Sequence, residues 1–157
     1  MRKQLLAVCA IILVAACTSS GRSESETLTT FVSDGIEYEL HTSPNSQGPE
    51  APCVGVTADM DDGVSSVISC PTEDSEEDQY ANAVDFDGEY FVVGYGLTQG
   101  EEIVLEDAVS VTISEGTDGR WFFAVQLEES PGSESFAVPI TASDGSTRSI
   151  TSYGVDD

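Results

Sequence analysis

The sequence predicts an all-β protein, an antiparallel β-sandwich, and three of its features lead there. Apolar and polar residues alternate with a period of two over many short runs, as in strands with one buried face. Asp-Gly pairs punctuate those runs at Asp87-Gly88, Asp118-Gly119 and Asp144-Gly145. Asp-Gly suits tight hairpins, which need positive φ. No stretch of useful length repeats apolar residues at helical spacing, and Gly and β-branched residues are spread throughout. About eight short strands separated by regular turns make a sandwich the expected architecture.

Residues 1–16 stand apart from that domain. Arg2 and Lys3 give a positive start, Leu5 to Val14 an apolar core, and Val14-Ala15-Ala16-Cys17 sets small residues before a cysteine. This is the layout of an export signal. The apolar run stops well short of the roughly 20 residues that a spanning helix needs. Val14-Ala15-Ala16-Cys17 resembles the lipobox of bacterial lipoproteins. The resemblance implies a diacylglycerol on the Cys17 sulfur, cleavage between Ala16 and Cys17, and anchorage at the extracytoplasmic face of the cell membrane. Two or more acyl chains, at roughly 0.8 kcal/mol per buried CH2, hold a protein stably where one is marginal. From Thr18 to Thr30 the only large apolar residue is Leu28. Residues 17–30 are therefore expected to be a flexible tether, with the sandwich over 31–157.

The strands follow in order. Ile36, Tyr38 and Leu40 share one face, with Glu37, Glu39 and His41 on the other. Val54, Val56 and Ala58 repeat the pattern, as do Val109, Val111 and Ile113. Trp121, Phe123, Val125 and Leu127 form the strongest stripe. Phe91 and Phe122 point to the opposite side and make an exposed apolar patch unless that side is covered too. Pro139 lies inside the run Phe136 to Ala142, which predicts an edge strand or a bulge there. Pro71 to Asn82 carries Glu73, Asp74, Glu76, Glu77 and Asp78. It reads as an exposed acidic loop and as the place where the domain would divide, near 71–82.

Charge narrows the function. All 29 acidic residues follow Cys17, where the only basic ones are Arg22, Arg120 and Arg148. Nucleic acid is excluded as a partner, because neutralising phosphate takes Lys or Arg. Such acidity serves solubility, a basic partner or cation binding. Cys9 falls in the signal and Cys17 is the lipid site, which leaves Cys53 and Cys70. An even pair in an oxidising compartment should form a disulfide.

Three kinds of site are suggested by the residues. Asp59-Met60-Asp61-Asp62-Gly63 gathers carboxylates beside a glycine, as Ca2+ loops do. It departs from the EF-hand, since Ala58 and Met60 stand at the first and third ligand positions and Ser69 at the closing one. Asp59, Asp61 and Asp62 are thus only weak metal candidates, and a hairpin turn is preferred. His41 is the sole histidine, and Gly-x-Ser-x-Gly does not occur. A triad around His41 or a carboxylate pair would be needed for a hydrolase. The acidic residues cluster in loops, where water holds their pKa low. Tyr90, Phe91, Tyr95, Trp121, Phe122 and Phe123 could form a sugar platform, though Trp121 and Phe123 better suit a core. No catalytic residues and no cofactor are expected.

Val93-Gly94-Tyr95-Gly96, Ile103-Val104-Leu105, Gly119-Arg120-Trp121-Phe122-Phe123-Ala124-Val125, Phe136-Ala137-Val138 and Ala142-Ser143-Asp144-Gly145 occur in that order. Together with the preceding Cys pair, the series resembles secreted proteins and lipoproteins of actinobacteria. The likeness runs over roughly Ile36 to Tyr153. It implies a small Ig-like β-domain and carries no activity or site residues. A membrane-tethered, non-catalytic Ig-like domain acting in protein contact or envelope binding is the function expected, with an envelope protein as a candidate partner. A Ca2+-dependent binding module and a hydrolase are the alternatives.

Overall fold

The computed structural model describes residues 25–46, 50–61 and 63–155. Cys17, the signal, most of the tether and Asp62 lie outside them. Among the described residues there are eleven strands and no helix. They are β1 (Glu26–Ser33), β2 (Ile36–Ser43), β3 (Cys53–Met60), β4 (Gly63–Ser69), β5 (Tyr80–Phe86), β6 (Glu89–Leu97), β7 (Glu102–Ile103), β8 (Ala108–Glu115), β9 (Trp121–Leu127), β10 (Phe136–Thr141) and β11 (Thr147–Tyr153). The first four form a sheet in sequence order, and the others form a seven-stranded sheet ordered β7-β10-β11-β5-β6-β9-β8. The acidic stretch after Pro71 is the crossing between the two sheets.

Local chemistry explains the hairpins. Asp34-Gly35 and Asp87-Gly88 each join two strands directly, with φ of 50° and 83° in the first and 52° and 88° in the second. Both residues are left-handed, as a two-residue type I′ turn requires. At Asp118-Gly119 and Asp144-Gly145 only the glycine has positive φ. There Gly116 donates to Arg120 O and Ala142 to Ser146 O, which closes three-residue turns with a bulge.

The two sheets pack face to face. Tyr38, Leu40, Val54 and Val56 of the small sheet share one buried cluster with Phe86, Phe91, Val93, Tyr95 and Phe122 of the large one. A second cluster covers the other side of the large sheet. It joins Val92, Phe123 and Val125 to Ile103, Val138, Ile140 and Ile150. β9 and β10 are far apart in strand order, yet Leu127 and Phe136 line a single groove. The large sheet therefore curls back over its own second face. With both faces covered, Phe91 and Phe122 are buried and the exposed apolar patch does not arise.

The sandwich has features of its own. β11 pairs with β5 in parallel through Ser152 and Tyr153, so the large sheet is mixed rather than wholly antiparallel. An Ig constant domain sets its strands in the order ABED and CFG, whereas the small sheet here is a simple meander. The expected tether also ends sooner than residue 30. β1 begins at Glu26, because Thr29 and Thr30 pair with β2 and Leu28 packs on the core. Of the predicted stripe on β8, only Ile113 packs on the core. Val109 and Val111 are 49% and 41% exposed, because β8 is an edge strand with a bulge between Ala108 and Ser110.

Pro139 occupies β10, between β11 and the two-residue β7. Its carbonyl accepts from Val104 N. A strand residue turns N–H and C=O to the same side, so the missing donor faces the β7 side. That ladder stops at Ile103, as a proline requires.

Candidate functional site

The predicted bridge is formed. Cys53 and Cys70 are joined at an S–S distance of 2.01 Å, which ties the start of β3 to the residue after β4. Beside it lies a buried polar knot. The Ser69 and Tyr80 hydroxyls are 2.6 Å apart, Asn82 Nδ2 donates to Ser69 Oγ, and Tyr80 also donates to Cys70 O. Burial raises the Tyr80 pKa above 10, so the phenol stays protonated. These groups satisfy one another where β4 meets β5, as buried polar groups must.

The other predicted positions do not assemble into a centre. Asp59 and Asp61 are exposed, at the end of β3 and in the turn beyond it. Among the described residues, no three His, Cys, Asp or Glu side chains are grouped to hold a metal ion. His41 lies across from Gly55, and a Cβ on that glycine would come within 3.0 Å of the imidazole. Burial lowers the His41 pKa against the pull of Glu39, and its Nε2 is buried without a hydrogen-bond partner. Of the six aromatics considered as a platform, Phe91, Tyr95, Phe122 and Phe123 are buried in the cores, and Tyr90 and Trp121 are half-buried against the second one.

Two polar constellations escaped the sequence reading. At the Asp87-Gly88 end, Tyr38 OH donates to Glu89 Oε2 at 2.5 Å, and Gln126 Nε2 donates to the same oxygen at 2.7 Å. Burial, then the Glu89 bond and charge, push the Tyr38 pKa far above 10. The phenol is thereby held as a donor that links the two sheets.

At the opposite end both described arginines line one open cleft with Trp121, Gln79 and Gly96, of about 390 Å³. Arg148 Nε and Nη2 grip the two Glu101 oxygens at 2.9 and 2.7 Å. Nη2 also donates to Gly96 O and Nη1 to Gln79 Oε1. Gly96 sits at a bulge with φ of 114°, and a Cβ there would come within 2.6 Å of Gln79 Cβ. Only glycine fits, and Arg148 pins the irregular backbone. Arg120 stands 5.6 Å from the Tyr95 ring centroid and 3.3 Å from Asp118. Both guanidinium groups are thus engaged, and the cleft is a clamp between β6, β11 and the 98–101 turn rather than an anion site. The scarcity of arginine was the one signal in the sequence that could have drawn attention to it.

The clamp sets an acid dependence. The Arg148 hydrogen bond, helped by the Thr98 N–H, lowers the Glu101 pKa from 4.5 to about 2. A carboxyl depressed by folding stabilises above its unfolded pKa, and the stabilisation is lost as pH falls toward the folded value. The gap in melting temperature between the natural protein and Arg148→Gln should therefore narrow from pH 4.5 down to about 2. A constant gap would show that the ion pair does not control it. This carboxyl is shifted in the sense opposite to that of a general acid.

No protein family, curated protein or solved structure gives a match to this chain.

Proposed function

We propose that this protein is a lipid-anchored extracytoplasmic domain that acts by binding and performs no chemistry. The observation that carries the reading is the assembled Cys53–Cys70 bridge in a chain that opens on Val14-Ala15-Ala16-Cys17. A disulfide belongs to an oxidising compartment, and a lipobox cysteine is the way to be tethered there. The fold supports the binding part. Among the described residues the large aromatic side chains apart from Tyr153 pack in or against two cores, and both arginines are engaged, Arg148 in the clamp and Arg120 with Tyr95 and Asp118. What it offers a partner is an acidic surface and the edges of its sheets. The chemistry such a surface selects is that of a basic partner in the envelope.

The test is Cys17→Ser. The variant should stay unlipidated, retain its signal and leave the detergent phase on phase separation. A variant that still ran as a mature, detergent-phase protein would overturn the anchor.

A further inference from the structure

We propose that the free edge of β8, with the groove beside it, is a strand-addition site for an extended segment of a partner that carries an apolar side chain flanked by Lys or Arg. The inference deepens the reading of a tethered binding domain and rests on it. Among the described residues β8 ends the large sheet and pairs only with β9. Its backbone directions follow from the turn beyond it. Gly116 N–H points to Arg120 O. Counting back by twos, Ser114 and Thr112 turn their backbone groups to β9, while Glu115, Ile113 and Val111 turn theirs outward.

Natural edge strands are blunted by charge, proline, shortness or cover. β7 has two residues, and β10 beside it carries Pro139. β4 stands against the large sheet, with Ser65 Oγ donating to Asp87 in the β5–β6 turn and the Ser69 and Tyr80 hydroxyls 2.6 Å apart. β1 is engaged at its start, where Glu26 and Leu28 accept from Thr117 and Ser114. β8 runs Ala-Val-Ser-Val-Thr-Ile-Ser before its first charge, and its valines at 109 and 111 are exposed. Among the described residues the hydrogen bonds between β1 and this region lie toward the far end, where Ser114 Oγ donates to Leu28 O and Thr117 donates to Glu26.

Beside the start of β8, Leu105, Leu127, Pro131 and Phe136 line a groove of about 270 Å³ where the curled sheet meets itself. Ala108 pairs with Leu127 and Val111 with Val125, so the groove and the edge adjoin. Asp107 and Glu129 stand in the groove wall, and Glu106 and Glu128 are their chain neighbours. At the other end is the exposed Glu115, while Asp118 beyond it is paired with Arg120. Main-chain bonds to the edge, a pocket for one side chain and acids at both ends are the elements of strand addition with selectivity. The charge also chooses the occupant. A second copy brings the same acidic surface and is repelled, whereas a basic extended segment is attracted.

The experiment uses the full chain in non-ionic detergent and a labelled peptide of alternating Thr and Val, with a central Phe and Lys at both ends. Anisotropy should show saturable binding, with Kd on the order of 10–100 μM for so small a contact. The same peptide ended in Glu, or interrupted by Pro, should bind at least about tenfold more weakly. Val111→Pro removes an outward N–H without touching the β9 ladder, and should abolish binding with the melting temperature retained. If that variant does not fold, Asp107→Asn with Glu129→Gln should weaken the Lys peptide by about tenfold or more. Equal binding of the Pro-interrupted peptide would mean charge alone and would overturn the proposal. So would no saturation at millimolar peptide, or light scattering showing a dimer joined at β8. Cys17→Ser leaves this site intact, so loss of the anchor and loss of the site are separate results.

Discussion

Replacing Phe91 with alanine should destabilise the fold by about 3–5 kcal/mol, the range for emptying a buried aromatic site. Phe91 is fully buried on β6. Its ring centroid lies 5.1 Å from Tyr38, 6.2 Å from Phe86 and 6.3 Å from Phe31. Those partners come from β2, β5 and β1, so the one side chain joins the small sheet to the large one. The partners are themselves in contact, Phe31 stacked on Tyr38 at 5.3 Å and Phe86 edge-on to Tyr38 at 5.6 Å. A cavity among rigid rings collapses poorly, which places the cost toward the upper end. Small domains have about 5–15 kcal/mol in all, so the variant should unfold at a much lower urea concentration. Phe91→Leu should cost less, because it keeps most of the volume. Equal midpoints for Phe91→Ala and the natural protein would mean that the sheets are held together elsewhere.

Removing the bridge by Cys53→Ser with Cys70→Ser should cost about 2–5 kcal/mol, as in other small secreted domains. The closed loop is short, with a separation of 17 residues, for which chain entropy alone accounts for about 3 kcal/mol. The bond also fixes the β3–β4 hairpin at the end remote from its turn, next to the Ser69–Tyr80–Asn82 knot. Urea unfolding of the oxidised protein and the double variant measures the difference. Mass analysis after alkylation without reductant should find neither thiol free. Quantitative labelling of both would refute the bridge.

The sequence alone determined what depends on near neighbours along the chain. Strand faces were legible because side chains alternate across a pleat whatever lies beyond it, so Tyr38 with Leu40, Val54 with Val56, and Phe123 with Val125 are buried as expected. The Asp87-Gly88 hairpin was legible because positive φ is a local demand. The disulfide was legible because Cys53 and Cys70 are an even pair within the domain itself. For the site, the sequence yielded the excess of acid, and Cys17 is the position at which the anchor is proposed. Tertiary structure decided the rest, because it turns on what comes to cover a second face and on partners distant in the chain. Alternation cannot tell that β6 and β9 are buried on both sides, nor that β8 is left at an edge where Val109 and Val111 face water. It cannot foresee the parallel contact of β11 with β5. Arg148 and Glu101 stand 47 residues apart, and Tyr38 and Glu89 stand 51 apart. Each pair meets only because the sheets stack and the larger one curls, which brings their strand ends together.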